Sequence, residues 1–299
     1  MKVLITGRGG QLAWELEQSR PNNIALTCLN SKQLDISNQK QVEQVFAQLT
    51  PDLVINAAAY TAVDKAETDS ETAYAVNDLG SEYLAKACKA IKAKLIHIST
   101  DFVFDGSQNT PYQINQQTNP INVYGASKLA GENKINAILG AQAMIIRTAW
   151  VYSKQGNNFV KTMLRLMAEK DSLGVVYDQV GTPTWAKGLA NLIWTLSTQD
   201  NIATEKANKA DNSSTILHWT DAGVCSWYDF AVAIQDIGLE KGMLEKAIPI
   251  RPIAASSYPT PAKRPSFSVI DKSSTEKLSG LNTVHWRKQL AQMMAELNN

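Results

Sequence analysis

Cysteine is scarce in this chain: Cys28, Cys88 and Cys225 are its only three, far apart and set among apolar residues. With no CxxC pair and an odd count, neither a disulfide framework nor a thiolate metal site is predicted, and buried free thiols are expected. Histidine is as sparse, with His97, His218 and His285 scattered along the sequence; neither a catalytic triad nor a metal set is suggested. His97 and His218 fall within buried-strand patterns and read as satisfied core or interface residues. No charge of one sign dominates, because 29 Lys and Arg offset 28 Asp and Glu to leave a net charge of +1. Nucleic acid, which draws on a basic excess, is therefore not an expected partner. No apolar run reaches the ~18–20 residues of a membrane span. The N-terminus enters the strand-like Val3 to Thr6 directly, without a signal-peptide pattern, so no membrane partner and a cytoplasmic location are expected. Glycine (16) and proline (10) are few, and 44% of the 299 residues are hydrophobic, which excludes a disordered or collagen-like chain.

What is present is alternation. Val3 to Thr6, Ile24 to Leu29, Leu53 to Asn56, Leu95 to Ser99 and Met144 to Thr148 are short, nearly continuous apolar runs, as strands covered on both faces should be. Between them, Gln11 to Ser19, Asn38 to Gln48, Glu71 to Ile91 and Tyr124 to Ile138 space apolar residues as helices do. Successive right-handed crossovers then predict an α/β fold with a doubly wound parallel sheet. The second half is less regular. Helices are predicted near Asn158 to Lys170, Trp185 to Leu196 and Trp227 to Ile237, and a strand at Gly174 to Tyr177. The helix bearing Trp227, Tyr228 and Phe230 is expected to pack against the sheet. Ile248 to Ser268, crowded with Pro and Ser, reads as an extended loop, and Asp200 to Ser214 as an exposed polar loop.

Chemistry begins at the first strand-to-helix turn. Gly7, Gly10 and Ala13 stand at G-x-x-G-x-x-A spacing between strand and helix, the context of a Rossmann-like dinucleotide fingerprint. Glycine there lets backbone N–H groups approach a pyrophosphate at the positive end of the helix. The second strand ends at Leu29 and Asn30 with no acidic residue for a ribose 2′-hydroxyl. Lys32 and Arg8 lie near instead, so NADPH is the expected cofactor, with NADH accepted less well. Asp35 and Ile36 follow at the adenine edge, although Asp35 is equally a helix N-terminal signal.

Tyr124 and Lys128 form the chain's sole Y-x-x-x-K. One helical turn apart, they share a face, where a cation beside a phenol is expected to lower the phenol's pKa toward the working range. Ser99, Thr100 and Asp101 end the fourth strand, at the edge where open α/β sheets bind ligands. A hydroxyl from that edge, with Tyr124 and Lys128, would converge on one oxygen beside a nicotinamide, which suggests carbonyl reduction.

TGRGGQLA, NAAAYT from Asn56 to Thr61, VDKAE from Val63 to Glu67, STDFVFDG from Ser99 to Gly106 and VYGASKLAGE from Val123 to Glu132 resemble the extended short-chain dehydrogenase/reductase family. RTAWVY from Arg147 to Tyr152, NNFVKTMLRL from Asn157 to Leu166, DQVGTPT from Asp178 to Thr184 and YPTPAKRP from Tyr258 to Pro265 are similar to its branch of dTDP-4-dehydrorhamnose reductases. The resemblance implies a cofactor domain over residues 1–150 and a smaller C-terminal, mainly substrate-binding domain over residues 151–299, some of whose segments return to the first. It places Gly10, Gln11 and Leu12 on the pyrophosphate, Asp35 and Ile36 on the adenine, and Ala58, Ala59 and Tyr60 in the linking region. Lys128 would hold the nicotinamide ribose, Tyr124 would be the general acid, and Thr100 its partner on the carbonyl of a dTDP-sugar substrate. Asp101 and Trp150 would touch the substrate, with Lys161 and Arg264 as candidates for its diphosphate.

Two positions depart from the pattern. Phe267 stands where relatives carry Asn. Some bacterial relatives build a magnesium site at a dimer interface from three glutamates; Glu15 and Glu296 fit two of them, but Lys187 aligns with the other. A cation there opposes Mg²⁺ and is expected to pair with Glu15, leaving a metal-free homodimer or no dimer. An epimerase or dehydratase that retains its cofactor shares Tyr124 and Lys128, and a regulatory subunit shares the fold. The intact Thr100, Tyr124 and Lys128 favour a reductase.

Overall fold

The computed structural model describes residues 1–198 and 212–297. Six parallel strands form the central sheet: β1 (Lys2–Thr6), β2 (Ala25–Leu29), β3 (Leu53–Asn56), β4 (Lys94–Thr100), β5 (Ala143–Thr148) and, after four two- to four-residue strands elsewhere, β10 (Thr215–His218). Their spatial order is β2-β1-β3-β4-β5-β10, so the chain reverses direction across the sheet between β1 and β3, where open α/β sheets form a ligand crevice.

Side chains alternate along each strand between two apolar layers. Val3, Ile5 and Ile55 face α1 (Gln11–Gln18) and α8 (Ala186–Thr198). Leu4, Val54 and Leu95 face α2 (Gln39–Leu49), α5 (Gly80–Ile91) and α6 (Val123–Leu139). Although α8 and β10 come from the second half of the chain, both pack into the first of these layers; Trp194 Nε1 donates to Leu16 O at 3.2 Å. A separate apolar cluster gathers α7 (Phe159–Glu169), the helix Trp227–Glu240 (α9) and the C-terminal helix Trp286–Leu297 around Phe230, Ile234 and Leu290.

Three elements differ from expectation. The helix predicted over Glu71 to Ile91 is broken by a π turn at Ala75–Leu79, between the short helix Ser70–Tyr74 and α5. The Pro-rich stretch includes a strand, Ile250–Ile253, parallel to Leu173–Val176. Having that single neighbour, it tolerates Pro252 as an edge strand does. Trp227 and Phe230 pack in the second cluster rather than on the sheet, because α9 lies against α7. Of the polar loop expected at Asp200 to Ser214, residues 200–211 lie outside the described residues.

Candidate active site

The turn after β1 is shaped by backbone crowding. Gly7 has φ +81°, and a Cβ there would come within 2.7–2.8 Å of the Ala57–Ala58 backbone. Only glycine fits between the first and third strand ends. Gly10 begins α1 with no side-chain cap, so the helix's first N–H groups and the positive end of its dipole are available to an anion. The residues present therefore fit a dinucleotide pyrophosphate. Leu12 is buried, leaving its backbone as the contacting group. Gln11 instead bridges outward, donating to Val151 O at 3.3 Å and accepting from Asn158 Nδ2 at 2.9 Å. Arg8 N–H donates to Leu29 O, bringing its side chain beside the end of β2, where the guanidinium meets Glu17 at 3.1 Å. Asp35 accepts from Ser37 N–H and Oγ at 3.0 and 2.7 Å, while Asn38 caps α2. The Ile36 side chain is buried against Gly80.

The loop Ala58–Tyr60 is tied down by Asn77 of the π turn. Asn77 Oδ1 accepts from Tyr60 N–H at 2.9 Å, and Nδ2 donates to Tyr60 O and Ser127 Oγ at 3.1 and 3.0 Å. Ser127 in turn donates to Tyr124 O at 2.8 Å. The extra residue of a π turn, a feature common at functional sites, thus connects the loop after β3 to α6. Asn77 leaves one signal in the sequence, an amide inside an otherwise regular helical pattern.

Thr100, Asp101, Tyr124 and Lys128 come together at the C-terminal end of β4. Asn122 caps α6 by accepting from Gly125 N–H at 2.7 Å, which starts the helix so that Tyr124 lies in its first turn. The Thr100 hydroxyl donates to Asp101 Oδ1 at 3.1 Å and accepts from Phe102 N–H at 3.2 Å, and it acts on the phenol of Tyr124. Phe102 packs edge-on against the Tyr124 ring. Burial raises the phenol's pKa to about 12, against a lowering contribution from Thr100. The expected lowering by Lys128 is not what the structure has. The Lys128 Nζ is directed instead to Ile98 O at 2.7 Å and His97 Nε2 at 3.3 Å. Burial lowers Lys128 to about 8, opposed by Glu132. Burial raises the Asp101 carboxyl to about 6, offset in part by Ser268 and by the hydrogen bond from Thr100.

Trp150 follows β5 with φ +46°, a left-handed conformation uncommon for a bulky residue. It is held there by stacking on Trp227 at 3.5 Å between ring centroids and by Gly181, where a Cβ would lie 2.8 Å from the indole. Phe267 joins an apolar group with Val103, Phe104 and Tyr112. The two diphosphate candidates are engaged inside the chain. Lys161 Nζ donates to Lys154 O and Gly156 O at 2.9 and 2.8 Å, clamping its own loop. Arg264 forks onto Asp64 at 2.9 and 2.7 Å and donates to Thr260 Oγ1. Lys161 would exchange its carbonyl partners, and Arg264 its fork on Asp64, to meet a diphosphate.

The magnesium pattern does not fit either. Lys187 Nζ lies 2.6 Å from Glu296 and over the Trp185 ring, while Glu15 accepts from Ser153 Oγ at 2.7 Å. Burial raises the Glu15 carboxyl, Ser153 lowers it, Glu296 raises it and Lys187 lowers it. An ammonium therefore neutralises these carboxylates where a divalent ion would need a third oxygen ligand; its direct partner is Glu296 rather than the expected Glu15.

The doubly wound sheet, the glycine turn and a Tyr-x-x-x-Lys helix beside a strand-end hydroxyl define an NAD(P)-dependent oxidoreductase of the short-chain dehydrogenase type. The chain belongs to the RmlD substrate binding domain family, whose profile matches residues 1–299. It is 38% identical to a dTDP-4-dehydrorhamnose reductase of Aggregatibacter actinomycetemcomitans over 98% of both chains. A dTDP-4-dehydrorhamnose reductase structure from Clostridium acetobutylicum superposes with TM-score 0.90 at 38% identity, covering 100% of both chains. One from Bacillus anthracis, in complex with NADP, gives 0.87 at 35% identity over 99% of each. No helix among the described residues is long and apolar enough to cross a membrane.

Proposed function

We propose that this chain reduces the carbon-4 ketone of dTDP-4-dehydro-L-rhamnose to dTDP-L-rhamnose, preferring NADPH. The observation that carries the reading is the gathering of Thr100, Tyr124 and Lys128 at the C-terminal end of β4, in a chain similar over nearly its whole length to dTDP-4-dehydrorhamnose reductases. The Gly7 to Gly10 turn and the first N–H groups of α1 hold the pyrophosphate. Asp35 and Ile36 edge the adenine, Ala58, Ala59 and Tyr60 flank the linking region, and Lys128 binds the nicotinamide ribose. When bound, NADPH supplies the hydride for carbon 4.

The chain's own residues manage the proton and the position of the sugar. Thr100 Oγ1 holds the ketone oxygen and Tyr124 donates its proton to that oxygen as it becomes negative. A phenol kept high by burial remains protonated over the whole neutral range, as a proton donor must. Asp101 and the Trp150 indole position the deoxysugar, the latter as a flat apolar wall. Lys161 and Arg264, which order the surrounding loops, are the candidates for the substrate diphosphate. The reading is tested by supplying dTDP- and UDP-ketosugars with NADPH. One NADPH is consumed per dTDP-sugar reduced, and the protein purifies without tightly held cofactor. Ketosugar turnover with no net NADPH loss would point to an epimerase.

Two further outcomes follow from the same geometry. Removing Arg8 and Lys32 together raises KM for NADPH by ~10-fold, the loss of about one phosphate contact, with KM for NADH nearly unchanged. Equal effects on both cofactors would remove their 2′-phosphate role. Chelators leave turnover and thermal stability unchanged, because Lys187 already neutralises Glu296. A chelator-sensitive activity restored by Mg²⁺ would contradict this.

A further inference from the structure

A line of buried polar groups runs beneath the site, from the glycine turn to Lys128 of α6, and the three residues before Lys128 have no part in the proposed mechanism. Thr6 ends β1, Asn56 ends β3, His97 lies in the middle of β4 and Lys128 on the catalytic helix, and all four are buried. Thr6 Oγ1 donates to Asn56 Oδ1 at 2.6 Å, and the backbone N–H of Ala58 donates to the same atom at 3.2 Å. A backbone N–H only donates, so that end of the Asn56 amide is its carbonyl. The NH₂ end then faces His97 Nδ1 at 2.9 Å and donates to it. A neutral imidazole that accepts at Nδ1 carries its proton on Nε2. His97 Nε2 is 3.3 Å from Lys128 Nζ.

We infer that His97 is a positioning residue for Lys128: Asn56 fixes its tautomer, and the resulting Nε2–H, aimed at Nζ, favours the neutral amine over the ammonium. An ammonium has three N–H donors and no lone pair, so an N–H facing it finds no acceptor. The amine has one, and accepts. The second contact of Nζ, to Ile98 O at 2.7 Å, suits both forms and so does not oppose the choice. Two directions agree with this geometry. Burial, with Lys128, holds His97 well below its ordinary value, so the ring stays neutral. Burial also lowers Lys128 to about 8.

The titratable groups around Lys128 are arranged by element. His97 faces it from β4. Glu132 lies one turn on along α6 and favours the ammonium, although its carboxylate is already committed to Arg147 from β5. Tyr124 precedes Lys128 by one turn on α6, and Asp101, after β4, acts on Tyr124. His97 is thus the one of these groups that directs an N–H at Nζ, and the Asn56 amide decides that it does.

The test has two arms. In the first, the intact protein is labelled with ¹⁵N in its imidazole rings and its three histidines are assigned by replacing His218 and His285 in turn. His97 shows the Nε2–H tautomer across the neutral range; an Nδ1–H tautomer or an imidazolium would overturn the inference. In the second, Asn56→Asp replaces the NH₂ donor by an oxygen that only accepts. His97 then carries its proton on Nδ1 and turns a lone pair toward Nζ. The His97 spectrum switches tautomer, and the alkaline limb of kcat/KM for NADPH moves up by about one pH unit as Lys128 keeps its proton longer. A fall in stability with the alkaline limb unmoved would leave Asn56 and His97 a packing role only and overturn the proposal. The pH arm rests on the reductase reading, since it follows NADPH turnover. The spectroscopic arm does not, so absence of turnover in the unaltered protein counts against that reading while the tautomer is still decided.

Discussion

Tyr124→Phe lowers kcat by at least ~100-fold while KM for NADPH changes little. The ring keeps its edge contact with Phe102, and the backbone anchor from Ser127 to Tyr124 O is unaffected. What disappears is the phenol hydroxyl on which Thr100 acts, and with it the proton for the ketone oxygen. Hydride addition to a carbonyl leaves an alkoxide, which without an acid in place has to be protonated by water. The loss therefore appears in turnover rather than in cofactor binding. Steady-state kinetics with the dTDP-ketosugar checks it, and near-normal kcat would show that another group supplies the proton.

Glu132→Ala is the second large effect, and it falls on stability. Arg147 Nη2 lies 2.6 Å from Glu132 Oε2 and Nε 3.0 Å from Oε1, with both side chains only 3–4% exposed. Ser99 also donates to Glu132, so a single carboxylate joins α6 to β4 and β5. Truncating it leaves the Arg147 guanidinium buried over the Phe104 ring with no counter-charge. Breaking a buried pair from one side costs about 3–5 kcal/mol, which for a chain of this size lowers Tm by on the order of 10 °C. The exposed pair Arg165–Glu169, at 2.9 Å and half or more in solvent, provides the control; Glu169→Ala costs less than ~1 kcal/mol. Thermal unfolding of both variants distinguishes the two environments. Equal Tm values for Glu132→Ala and Glu169→Ala would contradict the burial argument.

The strands β1 to β5 were readable because a sheet covered on both faces requires uninterrupted apolar runs, and these runs are spaced by crossover helices. Tyr124, Lys128 and Thr100 were readable as a set because helical spacing and a strand end bring them to one edge. The state of their protons was not. The one-turn spacing of Tyr124 and Lys128 does not reveal that Nζ turns toward His97 and Ile98, so burial, and not the ammonium, governs the phenol. Lys161 and Arg264 were identifiable as cations, but the carbonyl oxygens and the Asp64 carboxylate that engage them come from folding. Asp64 lies 200 residues from Arg264, a pairing with no local signal. The π turn at Asn77 was hidden for a different reason: one inserted residue barely alters a 3.6-residue apolar period, yet it redirects the side chain that anchors Tyr60.

The most direct test of the chemistry follows a labelled hydride. With NADPH deuterated at the transferring position of its nicotinamide, the account predicts one deuterium at carbon 4 of each dTDP-sugar product and one NADP⁺ formed with it, both seen by mass spectrometry and NMR. A product unlabelled at carbon 4, or label retained on the cofactor through repeated turnovers, would contradict it.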